Sequence, residues 1–216
     1  MAIADIEDYE LPVPEQLPQS KLKWQVDPRR AALLIHDMQE YFVAPFSRQS
    51  LPMREVLRNI VELKAACAKE GIPVYYTAQP GGMSREQRGL LLDLWGPGMT
   101  VSPAHRQILA ELSPTASDTV LTKWRYSAFH KSQLKSLLDG GGRDQLIITG
   151  VYAHVGCLMT AVDAFSQDIQ PFIVSDGVAD FSREEHDLCL SYAASNCAVV
   201  TPASSVLRPL QMSVAG

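Results

Sequence analysis

Runs of consecutive apolar residues recur along this chain, and each is followed by a stretch whose apolar positions return every three or four residues. The runs at Ala31–His36, Pro73–Ala78, Thr119–Thr122, Gln145–Thr149, Pro171–Ser175 and Ala198–Thr201 are short and rich in Val, Ile, Leu and Tyr. Continuous rather than alternating hydrophobicity is the pattern of strands covered on both faces, as in a parallel sheet. Helical patterns separate them. In "LPMREVLRNIVELKAACAKEG" one face carries Met53, Val56, Leu57, Ile60 and Cys67, and Gly71 with Pro73 ends it. "SREEHDLCLSYAAS" opens with Ser182 and Glu185 at capping-box spacing, and another helix is expected to begin near Cys157. This alternation predicts an α/β fold: a doubly wound, mainly parallel six-stranded sheet with helices on both faces and right-handed crossovers. Residues 1–28, acidic and broken by prolines, read as an extended N-terminal arm. With no internal repeat and no linker, one domain over residues 1–216 is expected.

Composition and charge narrow the class. A chain of 216 residues can bury a sizeable core, and 46% hydrophobic with 20% charged residues is ordinary for a globular protein. The net charge of −5 argues against nucleic acid as a partner, because phosphate binding needs clustered Lys and Arg. Any cations that hold an anionic ligand must therefore be local. No apolar run approaches the roughly 20 residues that span a bilayer. The start of the chain lacks the basic flank and apolar core of a signal peptide. No membrane association and a cytoplasmic location are expected. Four cysteines form no CxxC pair, and five histidines show no HxH or HExxH spacing, so reduced thiols and no bound metal or cofactor are expected.

Ligands of an open parallel sheet bind beyond the carboxyl ends of its strands. The first run ends at Asp37, the second at Gln79, the third at Lys123, and the fourth is followed by "GVYAHVGC" with Tyr152, Gly156 and Cys157. An acid, an amide, an amine and a thiol thus converge on one edge if these strands are neighbours. Each has a plainer alternative. Asp37, three residues before Glu40, fits a helix cap; Lys123 can extend to water; Cys157 can be an inert buried thiol or one activated at a helix start. The remaining cysteines, Cys67, Cys189 and Cys197, fall on apolar positions and read as packing, while His36 and His154 read as structural. The loop "AQPGGMSREQRGLLLDLWGPGM" holds Arg88 and Trp95 and has the length of a ligand wall.

The phrases "LLIHDMQEYF", "YYTAQP", "LLLDLWGPGM", "LTKWRYSAF" and "ITGVYAHVGCLMTAVDAFSQDIQPFIVSDGVADFS" resemble the isochorismatase family, in uninterrupted order over nearly the whole chain. The likeness is to the isochorismatases of enterobactin-type siderophore synthesis and of phenazine biosynthesis. It implies the doubly wound fold of the wider cysteine-hydrolase superfamily, with strand order close to 3-2-1-4-5-6. The superfamily's Asp, Lys and Cys land on Asp37, Lys123 and Cys157, the last expected not to be essential because the phenazine relative lacks it. A non-proline cis peptide near Val155–Gly156 and a homodimer or larger homo-oligomer are further implications; in departure from the siderophore enzymes, which often carry an aryl carrier domain, no carrier domain is expected within residues 1–216. The implied substrate is a dianionic small molecule, isochorismate or its 2-amino analogue, hydrolysed at its enolpyruvyl ether; a cysteine amidase of the nicotinamidase type is the other reading. Such chemistry needs a general acid; burial is expected to raise the Asp37 pKa for that role while Lys123 pulls it the other way, a balance that the substrate carboxylates are expected to tip by occupying the cations. Lys123 and Arg88 would hold the substrate carboxylates, aided by backbone N–H groups near Gly156. Gln79 would bond a polar group, and Phe42, Trp95 and Tyr152 would wall the ring.

Overall fold

The computed structural model describes residues 3–212, so the two ends of the expected domain, residues 1–2 and 213–216, lie outside the described residues. Six strands, β1 (Ala31–His36), β2 (Val74–Ala78), β3 (Thr119–Thr122), β4 (Gln145–Val151), β5 (Gln170–Ala179) and β6 (Val199–Thr201), form one parallel sheet. Their order is β3-β2-β1-β4-β5-β6. Chain connections leave β1 in one direction and β4 in the other, which opens a crevice between their carboxyl ends. The helices are α1 (Glu40–Val43), α2 (Met53–Lys69), α3 (Arg85–Arg88), α4 (Leu91–Trp95), α5 (Pro103–Arg106), α6 (Leu134–Gly140), α7 (Leu158–Ser166), α8 (Arg183–Asn196) and α9 (Ala203–Met212).

The unbroken hydrophobicity of β1 has a direct cause. Every one of its residues is buried, with Leu33 and Ile35 in the apolar cluster on one face and Ala32 and Leu34 in that on the other. The α2 stripe Met53, Val56, Ile60 and Cys67 packs into the first cluster, and α8 starts where Ser182 accepts a hydrogen bond from Glu185 N. Edge strand β3 departs from the expectation of double cover, since Val120 and Thr122 are exposed. All four cysteines are buried free thiols. Among the described residues no helix is long and apolar enough to cross a membrane.

Two strands run further than their sequence predicts. The β4–β5 pairing is irregular between Ile148 and Gly150, then resumes as Gly150 opposite Val178 and Val151 opposite Ala179. Asp176 and Gly177, just past the expected end of the strand at Ser175, are carried inside β5 by that shift. The non-proline cis peptide also sits elsewhere than expected, at Val151–Tyr152. A π-helical turn, Ala153–Cys157, then leads into α7.

Candidate active site

Asp37 leaves β1 with φ 52°, a left-handed backbone that residues with a side chain seldom adopt. The chain turns before it becomes helical, and Gln39 rather than Asp37 precedes α1, so the capping explanation for this acid is set aside. Its carboxylate is buried at the sheet edge instead. Thr77 Oγ1 donates to Oδ1 at 2.5 Å while accepting from Asp37 N at 3.0 Å, and Lys123 Nζ donates to Oδ2 at 3.0 Å. Burial pushes the Asp37 pKa up, but Lys123, His36 and the Thr77 bond outweigh it, and the net direction is below the ordinary value. Of the two opposing influences expected on this acid, the ammonium in contact outweighs desolvation.

His36, fully buried behind Asp37, donates Nδ1–H to Val151 O at 2.9 Å, and among the described residues Nε2 makes no well-formed hydrogen bond. Glycines leave it room. A Cβ on Gly150 would meet His36 O at 2.1 Å, and one on Gly156 would meet His36 Cε1 at 2.2 Å. Burial, reinforced by Lys123, lowers the His36 pKa from 6.5 to about 4. The unfolded chain therefore binds more protons between those values, and stability must fall as pH drops through that window. The expected loss by pH 4 is about 3 kcal/mol. Urea unfolding across this range measures it, and an unaltered pH slope in His36→Gln would exclude this imidazole as the source.

A cavity of about 620 Å³ opens onto Asp37 and Lys123 and is also lined by Phe42, Gln79, Arg88 and Trp95, with Tyr152 and Gly156 beyond them. Arg88, buried at the end of α3, donates Nε–H to Gly96 O at 2.9 Å and an Nη1 hydrogen to Gln79 Oε1 at 3.3 Å. Among the described residues no carboxylate pairs with it, and burial lowers its pKa. Aromatic rings form a continuous stack from Trp95 to Phe181 (5.9 Å), Tyr152 (4.0 Å from Phe181) and Phe46 (5.9 Å from Tyr152). Tyr152 serves as wall, not donor, since its hydroxyl bonds Phe42 O at 2.7 Å. Three of the backbone donors near Gly156 are likewise committed: Gly156 N and Cys157 N bond Tyr152 O, and His154 N bonds Asp180 Oδ2.

Cys157 is the expected site residue that does not line this cavity. It is fully buried in the apolar cluster beneath α7, and burial, then Asp37 and Asp180, push its thiol well above the ordinary range. Of the two readings of this thiol, the inert buried one is favoured: the enclosing apolar side chains dominate over the helix terminus.

The site also gathers residues that the sequence did not flag. Thr77 orients Asp37. Asp180 and Phe181, just past the true end of β5, were missed because that strand was expected to stop at Ser175. Ile3 to Ile6 of the arm form part of the cavity wall, with Ile6 N bonded to Pro45 O at 2.9 Å. His154, Asp180 and Glu185 place ligand-type atoms within 4.8 Å of one another. Both Asp180 oxygens already accept hydrogen bonds, from His154 N, His154 Nδ1 and Phe181 N, an arrangement that suits an ion pair better than a metal.

Comparison with known proteins gives a consistent result. Residues 31–205 match the isochorismatase domain model. The chain is 51% identical over 211 residues to the isochorismatase of Bacillus subtilis (strain 168), covering 98% of this chain and 68% of the relative. It is 52% identical over 207 residues to enterobactin synthase component B of Escherichia coli (strain K12), covering 96% and 73%. With phenazine biosynthesis protein PhzD1 of Pseudomonas aeruginosa it shares 51% over 206 residues, covering 95% and 99%. Among solved structures, a cysteine hydrolase from Pseudomonas syringae pv. phaseolicola 1448A has the same fold, with a TM-score of 0.81 at 21% identity over 90% of this chain and 98% of that one.

Proposed function

The chain belongs to the isochorismatase family, and from that premise we propose that it hydrolyses the enolpyruvyl ether of isochorismate to pyruvate and 2,3-dihydro-2,3-dihydroxybenzoate. The observation that carries this reading is a buried carboxylate held between Lys123 and Thr77 on the wall of a cavity that also holds a guanidinium, Arg88, with no carboxylate partner among the described residues. An enol ether is slow to hydrolyse because its terminal methylene carbon must be protonated. Asp37, once protonated, delivers that proton, and the methylene becomes a methyl group beside an oxocarbenium carbon. Water adds to this carbon and returns a proton to the Asp37 carboxylate. The hemiketal then collapses, its hydroxyl proton passing to the departing ring oxygen, which yields pyruvate and the ring diol.

Asp37 is ionised without ligand, so its proton enters with the substrate. The two substrate carboxylates draw Lys123 and Arg88 toward themselves, which weakens the hold of Lys123 on Asp37 and raises the acid's pKa in the complex. The aromatic stack flanks the ring and limits water. A homodimer in the cytoplasm, implied by the family resemblance, completes the proposal, and sedimentation velocity reads the assembly state.

A second substrate is favoured by the equal identity to the phenazine biosynthesis relative: the 2-amino analogue of isochorismate, giving trans-2,3-dihydro-3-hydroxyanthranilate. A pyruvate-coupled assay with both compounds decides between them, and no pyruvate from either rejects the reading. The amidase alternative requires a reactive thiolate, which the burial of Cys157 disfavours. Cys157→Ala is expected to keep kcat within about threefold of wild type, since no thiol takes part in vinyl ether protonation; loss of turnover with preserved folding would point back to thiol chemistry.

A further inference from the structure

Past the true end of β5 and against the π-turn after β4 lies an imidazole–carboxylate pair outside the Asp37–Lys123 couple. Asp180 is fully buried, and its oxygens lie 2.8 and 2.9 Å from His154 Nδ1. A carboxylate only accepts, so Nδ1 carries hydrogen and the ring orientation is fixed. His154 N and Phe181 N bond the same carboxylate at 2.6 and 3.0 Å, and Tyr9 of the arm locks the strand end by accepting Asp180 N at 2.9 Å. The opposite ring nitrogen, Nε2, has no hydrogen-bond partner among the described residues. His154 is 27% exposed and lines the cavity that holds Asp37 and Arg88.

We propose that His154, oriented by Asp180, is a specificity element of this site: its imidazolium Nε2–H binds one carboxylate of the dianionic substrate. This rests on the reading of the cavity as an enol-ether hydrolase site.

Electrostatics agree with the geometry. The Asp180 hydrogen bond raises the His154 pKa, partial burial opposes it, and Glu185 at the start of α8 adds to the rise. The charged groups facing the ring are Asp180 and Glu185, with Tyr9 and His186 behind Asp180 and Asp5 of the arm on the same cavity wall. Arg88 and Lys123 alone leave one substrate carboxylate to compete with Asp37 for Lys123. A third, titratable cation relieves that competition at neutral and acid pH and is lost as pH rises through the His154 pKa.

The test is steady-state kinetics from pH 5.5 to 9 on wild type, His154→Gln and Asp180→Asn, with pyruvate release from isochorismate and from its amino analogue. At the acid end His154→Gln should raise KM by about tenfold to a hundredfold, the strength of one charge-assisted hydrogen bond, with kcat nearly unchanged. It should also remove one inflection from the KM profile. Asp180→Asn should move that inflection to lower pH, a change a merely structural carboxylate would not produce. If Asp180→Asn fails to fold, the Cε1–H resonance of His154 in the wild type, titrated with and without the reduced, saturated ether of the substrate, supplies the second measurement: its pKa should rise on binding. A wild-type inflection retained in His154→Gln, a loss confined to kcat, or an unshifted resonance overturns this inference while pyruvate release stands. Absence of pyruvate from the wild type overturns the functional reading itself.

Discussion

Asp37→Asn is expected to lower kcat for isochorismate by about 10³-fold, inside the range a positioned general acid supplies, with KM little changed. The substitution is nearly isosteric and can keep a hydrogen bond to Thr77, so a folded protein with an intact cavity should result. The pH profile gives the same test a second form. Only the protonated acid can donate, and in the free protein Lys123, His36 and Thr77 hold Asp37 below its ordinary pKa. Over the neutral range kcat/KM, which reports the free enzyme, should therefore fall as pH rises, approaching tenfold per unit. The profile of kcat reports the complex and should stay level to higher pH. In His154→Gln, which lacks the imidazolium effect on KM, a slope approaching tenfold per unit should remain. An Asp37→Asn enzyme with near-normal turnover would end the general-acid proposal.

Lys123→Met is expected to destabilise the fold by about 3–5 kcal/mol, because it strands a carboxylate in a buried position. Lys123 is 3% exposed and Asp37 6%, and the 3.0 Å ammonium contact compensates the desolvated charge. Urea unfolding at neutral pH measures the loss. The double variant Lys123→Met with Asp37→Asn should recover much of it, since removing both partners leaves no uncompensated ion. Equal stability of the single and double variants would mean that the pair does not govern folding stability. In the single variant Asp37 would take up a proton more readily, so any residual activity should extend to higher pH than in wild type.

The parts of the site that could be read beforehand share a physical property: they follow strands whose ends are marked by local sequence. Asp37, Gln79 and Lys123 come directly after β1, β2 and β3, where hydrophobic runs stop, and neighbouring order then forces them together. Arg88 and Trp95 could be read as ligand-wall candidates because a long loop after β2 holds them. Asp180 and Phe181 escaped notice for the opposite reason. Asp176 and Gly177 end the apolar run, yet the shifted β4–β5 pairing carries the chain through them, and no local feature announces that continuation. Thr77 sits inside a strand, where a threonine is ordinary; its role appears only because β1 and β2 pair in register, His36 opposite Thr77.

Charge state was the least legible property. Asp37 at a buried strand end argues for a raised pKa, and the same burial brings Lys123 to 3.0 Å, which reverses the direction. Cys157 near a helix start left an inert and an activated thiol both open, and the surrounding apolar cluster favours the inert one. Both outcomes have one origin: desolvation and pairing depend on distances of a few ångströms between segments far apart in the chain.

By itself the sequence determined the alternation of buried strands and amphipathic helices, and with it the parallel sheet whose carboxyl edge carries the acid, amide and amine. Hydrophobic periodicity is a local property and survives without coordinates. Only the tertiary structure decided which ionisable groups touch, which thiol is sealed from the cavity, and that a histidine with its buried carboxylate stands on the cavity wall, because proton affinity is set through space and not along the chain.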